Sequence, residues 1–326
     1  MIAPATRRLT LALIASALML AGCGQGGGAP SKGITIGYQK SGVLYVAQAR
    51  GDLAKRLEAR GFGPVKWVEF ASGPPLIEAM RAGAVDLGAV GDTPLAYAQA
   101  SGSDIVAVAA HSYPSAITGG LIVPTASAIR TTADLKGKRL AFTKGSASEL
   151  SAVIALRTHG LTLKDIQPIN LTPGDAMTAF ANSSIDAWLT WDPYRTLAIH
   201  QVGAREIPIE RGTLRSTVFF IAPAKVTRER TAVLTATLDE LRGEAKWAQT
   251  HLPEVIAQSA AATRLPPAVV KQMIDRYEGR AFVVDPLTKA DVANQQRVLD
   301  LLRAGGVLRS ALDASKAAWF GWEPKS

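Results

Sequence analysis

The sequence is nearly free of cysteine. Its 326 residues include only one, Cys23, so no disulfide can form within the chain. The four histidines (His111, His159, His200 and His251) are scattered and lack the spacing of metal ligands. The serine–histidine–aspartate pattern of a hydrolase is also missing. We therefore expect no metal, no cofactor and no catalytic residue.

Runs of basic residues are absent as well. Lysine and arginine outnumber aspartate and glutamate by 36 to 27, but they are dispersed along the chain. The spacing of zinc fingers and the aromatic pattern of RNA-binding modules do not occur. These absences argue against nucleic acid as a partner. A formal charge of +9 instead suits an anionic membrane or a small anionic ligand.

Long apolar runs are missing beyond the N-terminus. There, Leu9–Leu20 form a stretch that is too short for a stable transmembrane anchor. Arg7 and Arg8 precede this stretch, and the motif LAGC, which ends at Cys23, follows it. The order resembles a bacterial lipoprotein signal, which is cut before a cysteine that receives lipid. The sequence thus predicts a signal peptide at residues 1–22.

The predicted lipid anchor continues into a flexible tether. Residues 23–32 are rich in glycine, which favours a flexible connection between a lipidated Cys23 and the fold. We expect the acyl chains to hold the protein on a membrane surface outside the cytoplasm. The alternative is a stray thiol in the signal sequence of an unanchored protein.

Strand and helix patterns alternate through the first two thirds of the chain, which predicts parallel α/β architecture. A single helix is predicted over Val43–Arg60. From Thr227 onward helix follows helix, with apolar residues at three- and four-residue spacing from Leu234 to Ala248. The predicted strands are Gly33–Gly37, Val65–Phe70, Ala84–Val90, Ile105–Ala109, Leu140–Phe142, Ile169–Leu171, Ala187–Leu189 and Phe219–Ala222.

Two α/β series joined by two extended apolar segments predict two lobes. We place the crossings near Gly119–Val123 and Thr217–Ala222. Residues 33–120 and 219–326 then form lobe 1, and residues 121–218 form lobe 2. A ligand is expected in a cleft between the lobes, at the carboxyl ends of the strands.

Three predicted helix starts offer donors for an anion. They are QKSG at 39–42, GDTP at 91–94 and KGSAS at 144–148, each after an apolar run. A helix start presents unpaired backbone N–H groups and a partial positive charge, which suit an anion. Its hydroxyl groups can equally serve as ordinary caps. Three such starts in one chain predict a cleft that holds an oxyanion.

Motifs along the chain resemble those of the periplasmic aliphatic sulfonate-binding proteins. The similarity runs in order from about Ile34 to Ala222, and the combination of GYQK with WDPY is specific to the sulfonate branch. The motif DLKG, by contrast, occurs across the wider nitrate, taurine and sulfonate group. The matching motifs are IGYQK at 36–40, WVEF at 67–70, DLGAVGD at 86–92, DLKG at 134–137, KGS at 144–146, DIQP at 165–168, LTP at 171–173, DAW at 186–188 and WDPY at 191–194.

The resemblance implies a two-lobed type II periplasmic binding protein fold with a helical C-terminal part. It also implies the substrate-binding component of an ABC importer: a monomer without catalysis that delivers an alkanesulfonate to a membrane permease driven by a cytoplasmic ATPase. Two features depart from the family. Its soluble members lack a lipobox, and residues 111–120 match no family pattern, so the contacts of the ligand's tail stay open.

Several polar residues are candidates for the sulfonate group, a permanent monoanion with three acceptor oxygens. Gln39 and Ser41 can donate through amide and hydroxyl, and Gly42 lets the backbone approach. Their alternative role is packing between strand and helix. Ser146 and Ser148 are further donors, with helix capping as the alternative.

Charged residues at the helix starts have less direct roles. A carboxylate at Asp92 would repel a sulfonate, so we expect Asp92 to cap its helix or to brace a donor. Thr93 is then the residue expected to make contact. Lys40 and Lys144 either supply positive charge or are solvated on the rim.

Two tryptophans are candidates for the wall that contacts the ligand's tail. Trp188 lies within an apolar strand pattern, so core packing is its alternative role. Trp191 precedes Asp192 and Pro193 in a turn, where it can stack on an alkyl or ring tail. Asp192 and Tyr194 are expected to close the site through hydrogen bonds between the lobes.

Other functions compete with sulfonate binding. The same group binds taurine, nitrate and other small oxyanions, and the same fold hosts enzymes such as desulfinases. The known desulfinase uses a cysteine nucleophile, whereas this chain has only Cys23. A sensing module would need a transmembrane partner. A binding protein is therefore the preferred interpretation.

Overall fold

Two mixed β-sheets organise the protein. The computed structural model describes residues 32–113, 119–210, 214–277 and 280–324. The predicted signal peptide, Cys23 and the tether up to residue 31 lie outside the described residues. The strands are β1 (Ile34–Tyr38), β2 (Val65–Glu69), β3 (Leu87–Gly91), β4 (Ile105–Ser112), β5 (Gly120–Pro124), β6 (Arg139–Phe142), β7 (Gln167–Asn170), β8 (Ala187–Thr190), β9 (Ala204–Ile207), β10 (Thr217–Pro223) and β11 (Asp285–Pro286).

Twelve α-helices are found in the described part of the chain. Helices follow strands in alternation up to β10, and the chain after β10 is mainly helical, as the sequence predicts. The helices are α1 (Gly42–Arg50), α2 (Asp52–Ala59), α3 (Gly73–Arg81), α4 (Asp92–Ala100), α5 (Ala147–Arg157), α6 (Pro173–Ala181), α7 (Tyr194–Gln201), α8 (Ala224–Glu229), α9 (Thr231–Thr250), α10 (Leu252–Thr263), α11 (Pro267–Asp275) and α12 (Lys289–Ala304).

The first sheet has the strand order β11-β4-β10-β3-β1-β2, and the second has the order β7-β6-β8-β5-β9. We call the elements around the first sheet lobe 1 and those around the second sheet lobe 2. Strands β1 to β3 pair in parallel, as do β6 to β8, and one antiparallel strand (β10 or β5) joins each group. The predicted α/β class is confirmed.

The chain crosses between the sheets earlier than the sequence predicts. Gly120–Pro124 is a strand of the second sheet, and Thr217–Pro223 is a strand of the first. The crossings therefore lie between Ser112 and Gly120 and between Ile207 and Thr217. The apolar residues that marked the predicted crossings are buried within the sheets, which explains the shift.

The helix predicted over Val43–Arg60 is wrong in one respect, because it is two helices. Gly51 has a φ of 72° and ends α1, and α2 begins at the next residue. A left-handed residue is the common end of a helix, and glycine adopts it without strain. The amphipathic pattern alone did not reveal this break.

The core of lobe 1 includes one face of the 20-residue helix α9. The residues predicted from its periodicity, Leu234, Leu238, Leu241, Ala245 and Ala248, are all buried. Among the described residues, no helix combines the length and the apolar composition needed to cross a bilayer.

Helix α12 packs on both lobes at once. Its Val298, Leu299 and Leu302 share an apolar cluster with Ala96 of α4 in lobe 1 and Leu150 of α5 in lobe 2. Leu214, in the second crossing, also belongs to this cluster. The C-terminal region thus joins the two lobes beside the place where the chain passes between them.

Candidate functional site

A cavity of about 200 Å³ lies between the lobes, at the carboxyl ends of several strands. Its lining includes Gly42 and Asp92, where α1 and α4 begin, and Ala147, where α5 begins. Gly73, at the start of α3, and Pro193, just before α7, also line it. Five helix starts therefore face one space, and their unpaired N–H groups favour an anionic guest.

The first predicted segment is positioned by β1 and α1, and three of its residues are available at the cavity. Ser41 and Gly42 are exposed and line it, and Ser41 makes no side-chain cap to α1. Gln39 Nε2 donates to the carbonyl oxygen of Ala89 at 3.1 Å. An amide carries two N–H donors, so one donor of Gln39 is left for a ligand.

Lys40 is among the residues that line the cavity, but its charge is paired rather than free. Its Nζ is 3.3 Å from Glu69 Oε1, and both side chains are about half exposed. A carboxylate partner offsets the attraction that the ammonium group offers to an anion, and water screens such a pair. The placement favours the rim alternative.

At the second segment, Asp92 braces Thr93 as expected, but Thr93 does not reach the cavity. Asp92 lines the cavity, whereas Thr93 is fully enclosed and does not. Asp92 Oδ1 accepts from the backbone N of Thr93 at 2.7 Å and from its hydroxyl at 3.0 Å. The hydroxyl donor of Thr93 is thus directed at Asp92, which acts as a brace.

The third segment is shaped by a compact set of hydrogen bonds. Ser146 Oγ donates to the carbonyl oxygen of Thr143 at 2.7 Å and accepts from the backbone N of Ser148 at 3.2 Å. Ser148 Oγ accepts from the backbone N of Thr143 at 3.0 Å. Ser146 is the N-cap of α5 and also lines the cavity, whereas Ser148 does neither and holds the preceding loop at Thr143.

Lys144 lies away from the cavity lining. Its side chain is exposed, and its backbone N donates to Asn170 Oδ1 at 2.9 Å. The reason is local: Gly145 has a φ of 74°, and this turn places Ser146 on the cavity while Lys144 faces solvent. The expected positive charge at this helix start is not among the described lining residues.

The two tryptophans lie in different surroundings. Trp188 is 1% exposed and packs at 6.1 Å from the ring of Phe180 in the core of lobe 2, so core packing describes it. Trp191, just beyond the end of β8, lines the cavity and meets Tyr194 edge to face at 6.4 Å. Its exposed face is available to a ligand's tail.

Asp192 connects the two lobes. Its Oδ2 accepts from Arg276 Nη1 at 2.9 Å, and its Oδ1 accepts from the backbone N of Thr196 at 3.2 Å. Asp192 belongs to lobe 2, whereas Arg276 follows α11, whose Ile274 is buried in the core of lobe 1. The hydrogen bond predicted between the lobes therefore exists at Asp192.

A second connection between the lobes involves α4 and α5. The hydroxyl of Tyr97 donates to Glu149 Oε2 at 2.8 Å, and the backbone N of Gly145 donates to the same oxygen at 2.8 Å. Burial, with a further contribution from the Glu149 carboxylate, raises the pKa of Tyr97, so its hydroxyl stays protonated and keeps donating. The two lobes are thus in contact across the cleft.

Away from the helix starts, the cavity is aromatic and apolar. His111 and Tyr113 of the first crossing region meet edge to face at 4.3 Å, and Tyr113 lies 5.1 Å from Tyr277. Phe220 and Phe282 also line this end. Burial, aided by the charge of Arg280, lowers the pKa of His111 to about 4, so its ring is neutral at physiological pH.

The comparison with known proteins matches this geometry. The family model described as "NMT1/THI5 like" matches residues 65–240. The aliphatic sulfonates-binding protein of Escherichia coli (strain K12) is 32% identical over 287 residues, which cover 88% of each chain. The chain belongs to the aliphatic sulfonate-binding proteins of the NMT1/THI5-like family.

Solved structures of this family share the fold. The alkanesulfonate-binding protein SsuA from Xanthomonas axonopodis pv. citri, bound to MOPS, is 32% identical, with a TM-score of 0.81 over 90% of this chain and 99% of that chain. The periplasmic aliphatic sulphonate binding protein SsuA from Escherichia coli is 33% identical, with a TM-score of 0.73 over 88% and 97%. These close relatives are binding proteins. The desulfurization enzyme DSZB, at 14% identity and a TM-score of 0.55, shares the fold alone.

The family's periplasmic binding protein fold is thus confirmed, but sequence reasoning missed some residues of the cleft. Arg276 and Tyr277 lie in the helical C-terminal part, where we recognised no motif. His111 and Tyr113 lie in the stretch 111–120 that matched no family pattern, and residues 114–118 of it are outside the described residues. The spacing of two rings at His111 and Tyr113, on one face of a strand, was the available signal.

No cluster of three or more histidine, cysteine, aspartate or glutamate side chains suited to a metal occurs in the described ranges. The polar lining includes helix starts, neutral donors such as Ser41 and Gln39, and the paired charged residues Lys40, Asp92 and Asp192. Such a lining can bind and orient an anion.

Proposed function

We propose that this protein is the extracytoplasmic substrate-binding component of an ABC importer that takes up aliphatic sulfonates for sulfur acquisition. The observation that carries the proposal is the convergence of five helix starts on one cavity between two lobes. The membership of the aliphatic sulfonate-binding proteins supports the same conclusion.

The sulfonate group binds at the helix starts in this proposal. Ser41, Gly42 and the start of α5 at Ser146 and Ala147 face the cavity from opposite lobes. Their N–H groups, the Ser41 hydroxyl and the remaining N–H of Gln39 supply charge-assisted hydrogen bonds to the three oxygens. Asp92 braces Thr93 and fixes the start of α4 rather than touching the anion.

The organic tail lies against the aromatic end of the cavity. Trp191 forms one wall, and Tyr113, Tyr277 and Phe220 form the other end. Since apolar contact gains about 25 cal/mol per Å² of buried surface, this end favours longer or cyclic tails over a single methyl group.

The transport cycle follows from two lobes joined by two crossings. Sulfonate enters an open cleft, the lobes close by a hinge, and the closed monomer docks on the permease subunits, whose cytoplasmic ATPase drives import. Catalysis has no place in this cycle, so we do not propose an enzyme.

The lipid anchor is part of the proposal. Cleavage before Cys23, lipidation of its thiol and the tether up to residue 32 hold the binding protein near its permease. The supporting feature is the motif LAGC after a short apolar run. Changing Cys23→Ala should release the protein into the soluble extracytoplasmic fraction or leave it unprocessed, and a soluble wild type with a free N-terminus would contradict the anchor.

The ligand is tested by native mass spectrometry and calorimetry of the mature protein. The panel contains methanesulfonate, propanesulfonate, MOPS, taurine, nitrate and sulfate. We expect alkanesulfonates to bind, with similar affinity at pH 6 and pH 8, because neither the sulfonate nor neutral His111 titrates in this range. A response to nitrate alone, or to taurine alone among the sulfonates, would assign the protein to that ligand instead.

A further inference from the structure

Arg276 holds three atoms of the opposite lobe. Its Nη1 lies 2.9 and 3.2 Å from the two carboxylate oxygens of Asp192 and 2.8 Å from the hydroxyl of Thr196. Asp192 is 6% exposed and Thr196 is fully buried, so water screens this contact little. A single guanidinium group therefore joins the end of α11 in lobe 1 to the first turn of α7 in lobe 2.

Both ends of this contact are firmly attached to their own lobes. Ile274, two residues before Arg276, is buried in the core of lobe 1. On the other side, Asp192 Oδ1 accepts from the hydroxyl of Thr196 at 2.6 Å and from its backbone N at 3.2 Å. A force on the ion pair is thus transmitted to the start of α7 rather than absorbed by a loose side chain.

The neighbours of both partners line the cavity. Trp191 and Pro193 flank Asp192 on the cavity wall, and Tyr277 follows Arg276 on the same cavity. Arg276 itself is not among the lining residues. Asp192 itself lines the cavity, so the contact sets where the tail-binding walls stand, and Arg276 acts through Asp192 rather than on the ligand.

We propose that Arg276 is the positioning residue of the cleft, which holds α7 against lobe 1 in the closed arrangement and so controls how slowly bound sulfonate leaves. This inference rests on the ligand-binding function proposed above. The observed affinity of a two-state binder equals its intrinsic affinity multiplied by the closed fraction. Removing a contact made across the closed cleft lowers that fraction and speeds ligand release.

The test measures the release rate of MOPS by stopped-flow tryptophan fluorescence. The variants are Arg276→Met, Arg276→Lys, Asp192→Asn and the double change Asp192→Asn/Arg276→Met. We expect Arg276→Met to raise the release rate about tenfold with a nearly unchanged association rate. Arg276→Lys should recover much of the loss, and the double variant should be no worse than the Arg276→Met single variant.

The matched control is the pair of Arg139 and Asp186, which has the same residue types at 2.7 Å but lies wholly within lobe 2. Arg139→Met should leave the release rate unchanged. Small-angle scattering of the ligand-free variants adds a readout that needs no ligand, and Arg276→Met should be more expanded than the wild type and Arg139→Met.

The outcomes separate the two proposals. Release rates equal to wild type in Arg276→Met, or fully additive effects in the double variant, would overturn the positioning role while leaving sulfonate binding intact. The titration of the wild type is read separately. A wild type that binds no sulfonate in the panel would overturn the proposed function, whatever the variants do to the scattering.

Discussion

The two lobes are built on the same plan but differ at one aspartate. In lobe 1, Asp86 precedes β3 and accepts from the backbone N of Thr35 at 2.8 Å, and in lobe 2, Asp186 precedes β8 and accepts from the backbone N of Arg139 at 2.8 Å. A second aspartate follows each strand. Asp92 comes directly after β3 and begins α4, and Asp192 lies between β8 and α7.

These two equivalent aspartates have different partners. Asp92 binds Thr93 of its own lobe, and the side-chain amide of Gln295 donates to its carbonyl oxygen at 2.9 Å. Asp192 binds Arg276 of the opposite lobe. The residues before them differ as well, since Gly91 leaves space in lobe 1 where Trp191 supplies a wall in lobe 2. The same structural unit thus leaves open space at Gly91 in lobe 1 and places an aromatic side chain on the cavity in lobe 2.

The largest expected effect comes from giving lobe 1 a side chain where lobe 2 has Trp191. Gly91 has an ordinary φ of −71°, and an added Cβ would lie 3.4 Å from Ala147 across the cleft. Gly91→Leu should therefore fill the space between the starts of α4 and α5. We expect the binding free energy of every sulfonate to weaken by about 3 kcal/mol or more, as measured by calorimetry.

The control for Gly91→Leu is Gly174→Leu, because Gly174 on α6 has open space around its Cβ position. That variant should bind like the wild type. Retained sulfonate affinity in a folded Gly91→Leu protein would show that the anion does not lie between these helix starts.

The next prediction compares how a buried histidine of lobe 1 and an exposed histidine of lobe 2 affect the free energy of unfolding in acid. The pKa of His111 is lowered to about 4, mainly by burial, so between about pH 6.5 and pH 4 the unfolded chain binds a proton that the folded chain does not. Stability should fall as the pH drops through this window, by up to about 3 kcal/mol. Urea unfolding of the wild type and His111→Phe at pH 4.5 and pH 7 measures it.

His111→Phe should lose stability less steeply with acid than the wild type. His159 of lobe 2 is exposed, so His159→Phe should keep the wild-type pH dependence. Parallel pH profiles for His111→Phe and the wild type would mean that His111 is not the group responsible.

A smaller effect distinguishes Ser41, just before α1, from Ser148, in the first turn of α5. Ser41 in lobe 1 makes no cap and faces the cavity, whereas Ser148 in lobe 2 accepts from Thr143 and lies off the cavity. Ser41→Ala should weaken every sulfonate alike, by about 1.5–3 kcal/mol. Ser148→Ala should instead lower the unfolding free energy by about 1 kcal/mol, because the backbone N–H of Thr143 loses its acceptor.

Calorimetry and urea unfolding of the two serine variants give opposite patterns if this assignment is right. Ser146→Ala should show both effects, because Ser146 both caps α5 and lines the cavity. Equal sulfonate affinities in the wild type and Ser41→Ala would mean that the Ser41 hydroxyl does not contact the anion.

The effect expected at Trp191 depends on the size of the ligand's tail. Trp191→Ala should weaken long or cyclic sulfonates such as MOPS by roughly 1–2 kcal/mol and methanesulfonate least, because apolar contact scales with buried area. The measurement is a chain-length series by calorimetry. Trp188→Phe is the control in the core of lobe 2, and it should change unfolding alone. A penalty that is flat along the series would remove Trp191 from the tail wall.

The fold followed from the sequence because its signals are local. Alternating strand and helix patterns, the periodicity of α9 and the ordered motifs from Ile34 to Ala222 each depend on neighbouring residues. The shift of the crossings was missed because a buried strand and an extended connection carry the same apolar pattern. The break at Gly51 was missed because the helical pattern continues on both sides of one left-handed residue.

The site was only partly predictable for a related reason. A helix start is visible in a sequence, but whether a hydroxyl faces a ligand or caps its own helix depends on one torsion. Ser41 and Ser146 illustrate this, since both precede a helix and line the cavity but only Ser146 caps its helix. Arg276 was unpredictable because its partner, Asp192, lies 84 residues away and in the other lobe.

The strand order of lobe 1 has a consequence for how the protein is made. Strand β10 lies between β3 and β4, and it is separated from them in the chain by the whole of lobe 2. While the N-terminal part emerges first, β3 and β4 must wait with unpaired edges until residues 217–223 follow. Lobe 2, whose five strands are contiguous in the chain, can complete its sheet during that interval. Lobe 1, which contains the first strand of the described chain, is therefore the lobe whose sheet is completed last.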